Sequence, residues 1–207
     1  MRRLPTLLSP APAVLLLTVA LVVTIVGVRV PDSFATRPAE VLVVGDSITA
    51  QGADTLQRLH RDWDIDGVSG RRVSALPELL RERLARGAPP RVVVMALGTN
   101  SVPGWTAQDY RSALATLPPA TRVVLVTTWR DPLLWPEEGP THLRAAVQAD
   151  YSRWLRTIAW ERPHTCLVDW RTTASGRPQL LSDGVHLTRT GRQVWAQAIS
   201  RAVADCD

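Results

Sequence analysis

Five short runs of β-branched and other apolar residues, each followed by a longer amphipathic stretch, constrain this chain more than any other feature. The runs are VLVV (41–44), WDIDGV (63–68), RVVVMALG (91–98), RVVLVTT (122–128) and TCLVDW (165–170). Helices are expected between and after them, over 52–62, 74–87, 106–118, 141–163 and 187–206. In the second of these, Leu76, Leu79, Leu80 and Leu84 recur at helical spacing, with Gly87 as a stop; Thr106 is placed to cap the third. Strand–helix alternation of this kind predicts a three-layer α/β domain with a five-stranded, mainly parallel sheet. Strands apolar on both sides also require helices on both faces.

The first forty residues read differently. Arg2 and Arg3 precede an uncharged apolar run, 11–28, whose eighteen residues would span about 27 Å as a helix, close to the hydrocarbon thickness of a bilayer. The expectation is a cytoplasmic stub and transmembrane signal anchor over 1–30, a polar linker over 31–40, and a single catalytic-sized domain over 41–207. The basic N-terminus stays inside, so the domain lies outside the cytoplasm. Two other readings stay open: a signal peptide cleaved near the small-x-small triplet Ser33–Phe34–Ala35, which would release a secreted protein, and a buried core helix.

All 24 basic residues are Arg, against 19 acidic ones, a net charge of +5. They are scattered, and several alternate with Glu, so no basic stripe with interleaved aromatics marks a nucleic-acid surface. No Walker loop, G-x-G-x-x-G, H-E-x-x-H or G-x-S-x-G elbow occurs. Neither cysteine sits in a metal-ligand pattern.

In an open parallel sheet, ligands bind beyond the carboxyl ends of the strands. The segments at that edge are Gly-Asp-Ser (45–47), Gly-Val-Ser-Gly-Arg-Arg (67–72), Gly-Thr-Asn-Ser (98–101) and Ser-Asp-Gly-Val-His (182–186). A hydroxyl, a flexible glycine, an amide, a carboxylate and an imidazole are what acyl transfer uses. Each has a plainer use: Asp46 and Ser47 as helix caps, Gly70 and Asn100 as turn formers, Asp183 and His186 as a surface pair. Their joint occurrence at one edge favours chemistry. His60, His142 and His164 are expected to be structural.

The four segments, in this order, resemble the sequence blocks of the SGNH, or GDSL-type, hydrolases. The likeness runs from residue 41 to about 204. The finer pattern VSGRRVS…VVVMALGTN…VDW…SDGVHLT is similar to the SGNH domains that accompany membrane-bound acyltransferases in bacterial envelopes. This resemblance implies a flavodoxin-like fold, with Ser47 as nucleophile, His186 as general base and Asp183 orienting the ring. It also implies an oxyanion hole formed by the backbone N–H groups of Ser47 and Gly70 and the amide of Asn100. Many relatives carry an Asp after the Gly-Thr-Asn block, where this chain has Ser101. The implied activity is a serine esterase releasing small acyl groups from carbohydrate or cell-wall esters, with no metal or organic cofactor. Two alternatives are an acyltransferase using the same residues and a catalytically silent binding module displayed on the membrane. Arg71 and Arg72 are candidates for an anionic group on the substrate, and Trp129 and Trp135 for an acyl or sugar group.

Export permits a disulfide. Cys166 opens the last strand and Cys206 closes the last helix, so both belong at the edge opposite the candidate site. A bond between them is expected if their Cα atoms lie within about 7 Å; two free thiols are the alternative.

Overall fold

The computed structural model describes residues 39–100, 105–135 and 144–206. The apolar run at 11–28, the linker up to residue 38, Ser101 and His142 lie outside the described residues. Among those described, no helix is long and apolar enough to cross a membrane.

Five strands form one sheet: β1 (Val41–Gly45), β2 (Asp64–Gly67), β3 (Val92–Ala96), β4 (Arg122–Val126) and β5 (Thr165–Val168). Their order is β2-β1-β3-β4-β5 and every pairing is parallel. The central strands β1 and β3 are buried along their whole length. Alternate residues divide between the two faces, as the pleat requires. Val43, Val94 and Val124 join Leu56, Trp195 and Ile199 on one side. Leu42, Val44, Val93, Met95 and Leu125 join Leu76, Tyr110, Tyr151 and Leu155 on the other. Burying each such side chain contributes about 1.5–3 kcal/mol against leaving it in water.

Among the described residues, six α-helices cover these faces: α1 (Ser47–Leu59), α2 (Leu76–Ala85), α3 (Ala107–Leu114), α4 (Ala145–Glu161), α5 (Trp170–Ala174) and α6 (Arg189–Asp205). Thr106 caps α3 in a full capping box, accepting from the Gln108 N–H while Asp109 accepts from the Thr106 N–H. Helix α2 follows directly on a 3₁₀ turn, Val73–Ala75.

Two expectations are corrected. Helix α1 begins at Ser47 rather than near residue 52, because the Asp46 carboxylate accepts the Ile48 N–H at 3.0 Å and starts the helix at the strand's end. Trp170 is not the end of a strand but the first residue of α5, capped by Asp169, which accepts the Thr172 N–H. The strand-to-helix junction after β1 is tight. A Cβ built on Gly45 would stand 1.7 Å from Thr49 Oγ1 and 2.9 Å from the Ala96 carbonyl oxygen, so only glycine fits there.

Cys166 of β5 and Cys206 after α6 are joined by a disulfide, with Cα atoms 5.7 Å apart. Arg122, the first residue of β4, donates to the Cys206 carbonyl at 2.6 Å. The bond therefore sits at the amino edge of the sheet, away from Ser47.

Candidate active site

The strand order reverses between β1 and β3, and the crevice at such a point is where open α/β sheets bind ligands. Ser47 follows β1 and Asn100 follows β3, so both stand at this reversal. Ser47 is also the first residue of α1, whose opening N–H groups have no intrahelical partner and favour negative charge in front of them.

Ser47 Oγ lies 3.1 Å from His186 Nε2. The other ring nitrogen, Nδ1, lies 2.7 Å from Asp183 Oδ2. With the Nδ1 proton given to the carboxylate, Nε2 is left to accept from the serine hydroxyl. The second carboxylate oxygen of Asp183 accepts the N–H groups of Val185 at 3.0 Å and His186 at 2.8 Å. Burial acts to raise the Asp183 carboxyl, but the His186 backbone and ring, the Val185 N–H and the imidazole charge outweigh it. The group is held below the usual carboxylate range. It is thus fixed as an acceptor over the neutral range, the state in which it can orient a ring and stabilise its cation.

The turn bearing the pair is closed on itself. Ser182 donates its N–H to the His186 carbonyl at 2.7 Å, and Leu181 bridges Leu187 in antiparallel fashion. Gln51, one turn into α1, accepts the Leu187 N–H at 2.8 Å and so ties the imidazole's turn to the serine's helix. Trp135 donates its indole N–H to the Asp183 carbonyl at 2.9 Å.

Asp46 does more than cap α1. Its Oδ2 accepts the Thr99 N–H at 3.2 Å, joining the turn of Ser47 to the segment of Asn100. The side chain is fully buried, and this burial pushes its carboxyl up to about 6 against the pull of its backbone bonds. Asn100 in turn donates its amide to the Arg71 carbonyl at 3.4 Å, which brings it to the loop of Gly70. Gly70 has φ +76°, with nothing within 4 Å of where a Cβ would stand; backbone conformation, not space, calls for glycine.

Arg71, a candidate for an anionic substrate group, has its guanidinium bonded within its own loop. It donates to the Asp66 carboxylate and carbonyl, each at 2.7 Å, and to the Gly45 carbonyl at 3.2 Å. Trp129 packs against the core below the edge, with the Arg171 guanidinium 4.9 Å from its ring centre. His60 is structural, stacked on Trp63 and bonded to the Ser200 hydroxyl at 2.7 Å. Among the described residues, no group of three or more His, Cys, Asp or Glu side chains could hold a metal ion.

Asp46, Gln51 and Arg130, the last described below, were not expected to serve the site. Their bonds join residues 53, 136 and 31 apart in sequence, and no local pattern announces such pairings.

A serine, an imidazole and a carboxylate in line at the carboxyl edge of a doubly wound parallel sheet define the SGNH class of esterases and acylhydrolases. The chain belongs to the GDSL-like lipase/acylhydrolase family, whose sequence model matches residues 43–194. Over 165 residues it is 30% identical to YrhL of Bacillus subtilis (strain 168), a protein provisionally named a peptidoglycan O-acetyltransferase. That match covers 79% of this chain but only 24% of YrhL, so the chain spans about a quarter of that relative's length. Among solved structures, the C-terminal catalytic domain of peptidoglycan O-acetyltransferase A (OatA) of Streptococcus pneumoniae, solved with a methylsulfonyl adduct, superposes with a TM-score of 0.70. Its identity is 21%, over 80% of this chain and 93% of that one. A carbohydrate esterase family 3 protein of Talaromyces cellulolyticus gives 0.60 at 19% identity, over 79% of this chain and 95% of that one. At such identities the likeness is one of fold.

Proposed function

We propose that this chain is an O-acyl ester hydrolase of the cell envelope that works through an acyl-Ser47 intermediate, and that it removes small acyl groups, acetyl above all, from carbohydrate or cell-wall polymers. The observation that carries this reading is the line from Ser47 through His186 to Asp183, with steps of 3.1 and 2.7 Å.

In the first step Ser47 Oγ attacks the ester carbonyl while its proton passes to His186 Nε2. The carbonyl oxygen becomes an oxyanion, received by the backbone N–H groups of Ser47 and Gly70 and the amide of Asn100. Collapse of the tetrahedral intermediate returns the proton from His186 to the leaving alcohol oxygen and leaves the acyl group on Ser47. Water then attacks that ester, giving its proton to the same nitrogen; the acid leaves and Ser47 regains its hydrogen. Asp183 stays ionised throughout and steadies the imidazolium. No metal or cofactor takes part.

Similarity to YrhL favours a second reading, in which a sugar hydroxyl replaces water in the second step and the group is transferred. Export of the domain rests on the apolar run at 11–28 behind Arg2 and Arg3, acting as an anchor or as a cleaved signal.

The test uses the chain from residue 36 onward on a chromogenic acetyl ester and then on an O-acetylated glycan, with and without a free acceptor sugar. Acetate release that Ser47→Ala abolishes supports the enzyme reading. Acetylated acceptor in place of acetate would decide for transfer. Equal turnover by the wild type and Ser47→Ala would contradict the acyl-Ser47 mechanism, and no turnover or fluorophosphonate labelling of either would leave only a binding module.

A further inference from the structure

The segment after β4, Thr127 to Trp135, supplies no residue to the reaction above, yet it touches two of the segments that do. Asp131 donates its N–H to the Gly184 carbonyl at 2.9 Å, and Trp135 donates its indole N–H to the Asp183 carbonyl, also at 2.9 Å. Both bonds hold the turn that carries Asp183 and His186. From the same segment, Arg130 Nη2 donates to the Thr99 carbonyl at 2.8 Å, next to Asn100. The Arg130 guanidinium lies 4.4 Å from the centre of the Trp135 ring. One continuous stack thus runs from the Thr99 carbonyl through Arg130 and Trp135 to the Asp183 carbonyl.

Arg130 is a poor choice for stability alone. It is only 4% exposed, and its Nε is buried with no hydrogen-bond partner among the described residues. A buried cation with an orphaned donor is costly, and an apolar side chain of similar length would fill the same volume without that penalty. Local rules broken at a cost to stability are expected at functional positions.

Resting on the hydrolase reading above, we propose that Arg130 is a positioning residue: stacked on Trp135 and bonded to Thr99, it holds the Asp183–His186 turn in register with the Asn100 segment. The acid–base pair arrives from one end of the chain and the oxyanion amide from the middle. A shared strut between them fixes the distance from the base to the developing oxyanion. Arg130 itself touches neither the substrate nor the reacting atoms.

Three variants of the full chain test this: Arg130→Met, which keeps the stem and removes the charge and the donor; Arg130→Lys, which keeps the charge; and Trp135→Phe, which keeps a ring and removes the indole bond. Each is assayed for kcat and KM on a chromogenic acetyl ester, for the rate of fluorophosphonate labelling, and for thermal stability. Misplacing reacting groups by about 1 Å costs on the order of 100-fold in rate. A drop of that size is expected in kcat and in labelling for Arg130→Met. KM should change less than about twofold, since ground-state binding is untouched. Arg130→Lys should recover part of the loss, and Trp135→Phe should show a smaller loss of the same kind. Should Arg130→Met fail to fold, the labelling rate of Trp135→Phe decides. Folded variants with wild-type kcat and labelling, whatever their melting temperature, would overturn the clamp and leave the hydrolase reading intact. A wild type that neither turns over ester nor takes the label overturns the hydrolase reading itself.

Discussion

Ser47 Oγ and His186 Nε2 stand 3.1 Å apart although 139 positions separate them in the chain. The distance is set from both sides. Asp46 starts α1 at the end of β1, which places the hydroxyl at the sheet's edge. Gln51, four residues further along α1, accepts the Leu187 N–H and draws the imidazole's turn to the same helix.

Asp183 holds the imidazole tautomer, so its replacement by Asn should be far more damaging than its modest burial suggests. In Asp183→Asn an amide N–H would oppose the Nδ1 proton, and the ring would present the wrong nitrogen to Ser47. A fall in kcat on the order of 10⁴-fold is expected, with the protein still folded, since the Asn oxygen can keep the Val185 and His186 N–H bonds. Steady-state kinetics beside a thermal melt check this.

In the proposed mechanism, Asn100→Ala removes a donor for the oxyanion without touching the proton relay. The expected loss is about 10²–10³-fold in kcat, or about 2.7–4 kcal/mol of transition-state stabilisation, with little change in KM. A loss appearing mainly in KM would mean that the amide binds substrate in the ground state instead.

Asp46 makes stability depend on pH in a sense opposite to that of an ion-paired carboxylate. Its folded value of about 6 lies above its ordinary 3.8, so the folded protein binds the extra proton between those values. Stability from this group is full below about pH 4 and is lost as pH rises through 6, by about 3 kcal/mol in all. The melting temperature of the wild type relative to Asp46→Asn should therefore be highest near pH 4 and should decline towards pH 7. A difference that rises with pH would contradict the burial argument.

The Cys166–Cys206 bond closes a loop with a sequence separation of 40 at the far edge of the sheet. Chain entropy assigns a loop of that length about 4 kcal/mol of stability. Replacing both cysteines by Ala should lower the denaturation midpoint accordingly while leaving kcat at room temperature unchanged. Chemical denaturation and ester turnover on the same sample measure both.

Much of this architecture is written in local pattern. The valine runs of β1, β3 and β4 could be placed to within two residues at either end, because the buried positions of these strands are all non-polar. The start of α1 was harder. Ser-Ile-Thr-Ala continues the β-branched character of β1, and only the bond from Asp46 to Ile48 turns it into helix. Helix α5 was hidden for a similar reason, since Trp170 reads as strand until Asp169 is seen to cap it. Among candidate site residues, those tied to a motif were legible. The partners of Arg71, Asp66 and Gly45, are not legible in sequence, because they reach its guanidinium only through the fold. The strut of Arg130 and Trp135 was invisible as a unit, since its bonds run to Thr99 and Asp183.

The central claim is that an acyl group passes through Ser47. Mass spectrometry of the purified protein, quenched in acid during turnover of an acetyl ester, tests it most directly. The prediction is a single added acetyl group, carried by the peptide that contains Ser47 and absent from Ser47→Ala. Steady turnover with no acetyl on that peptide, or with the acetyl on any other side chain, would contradict it.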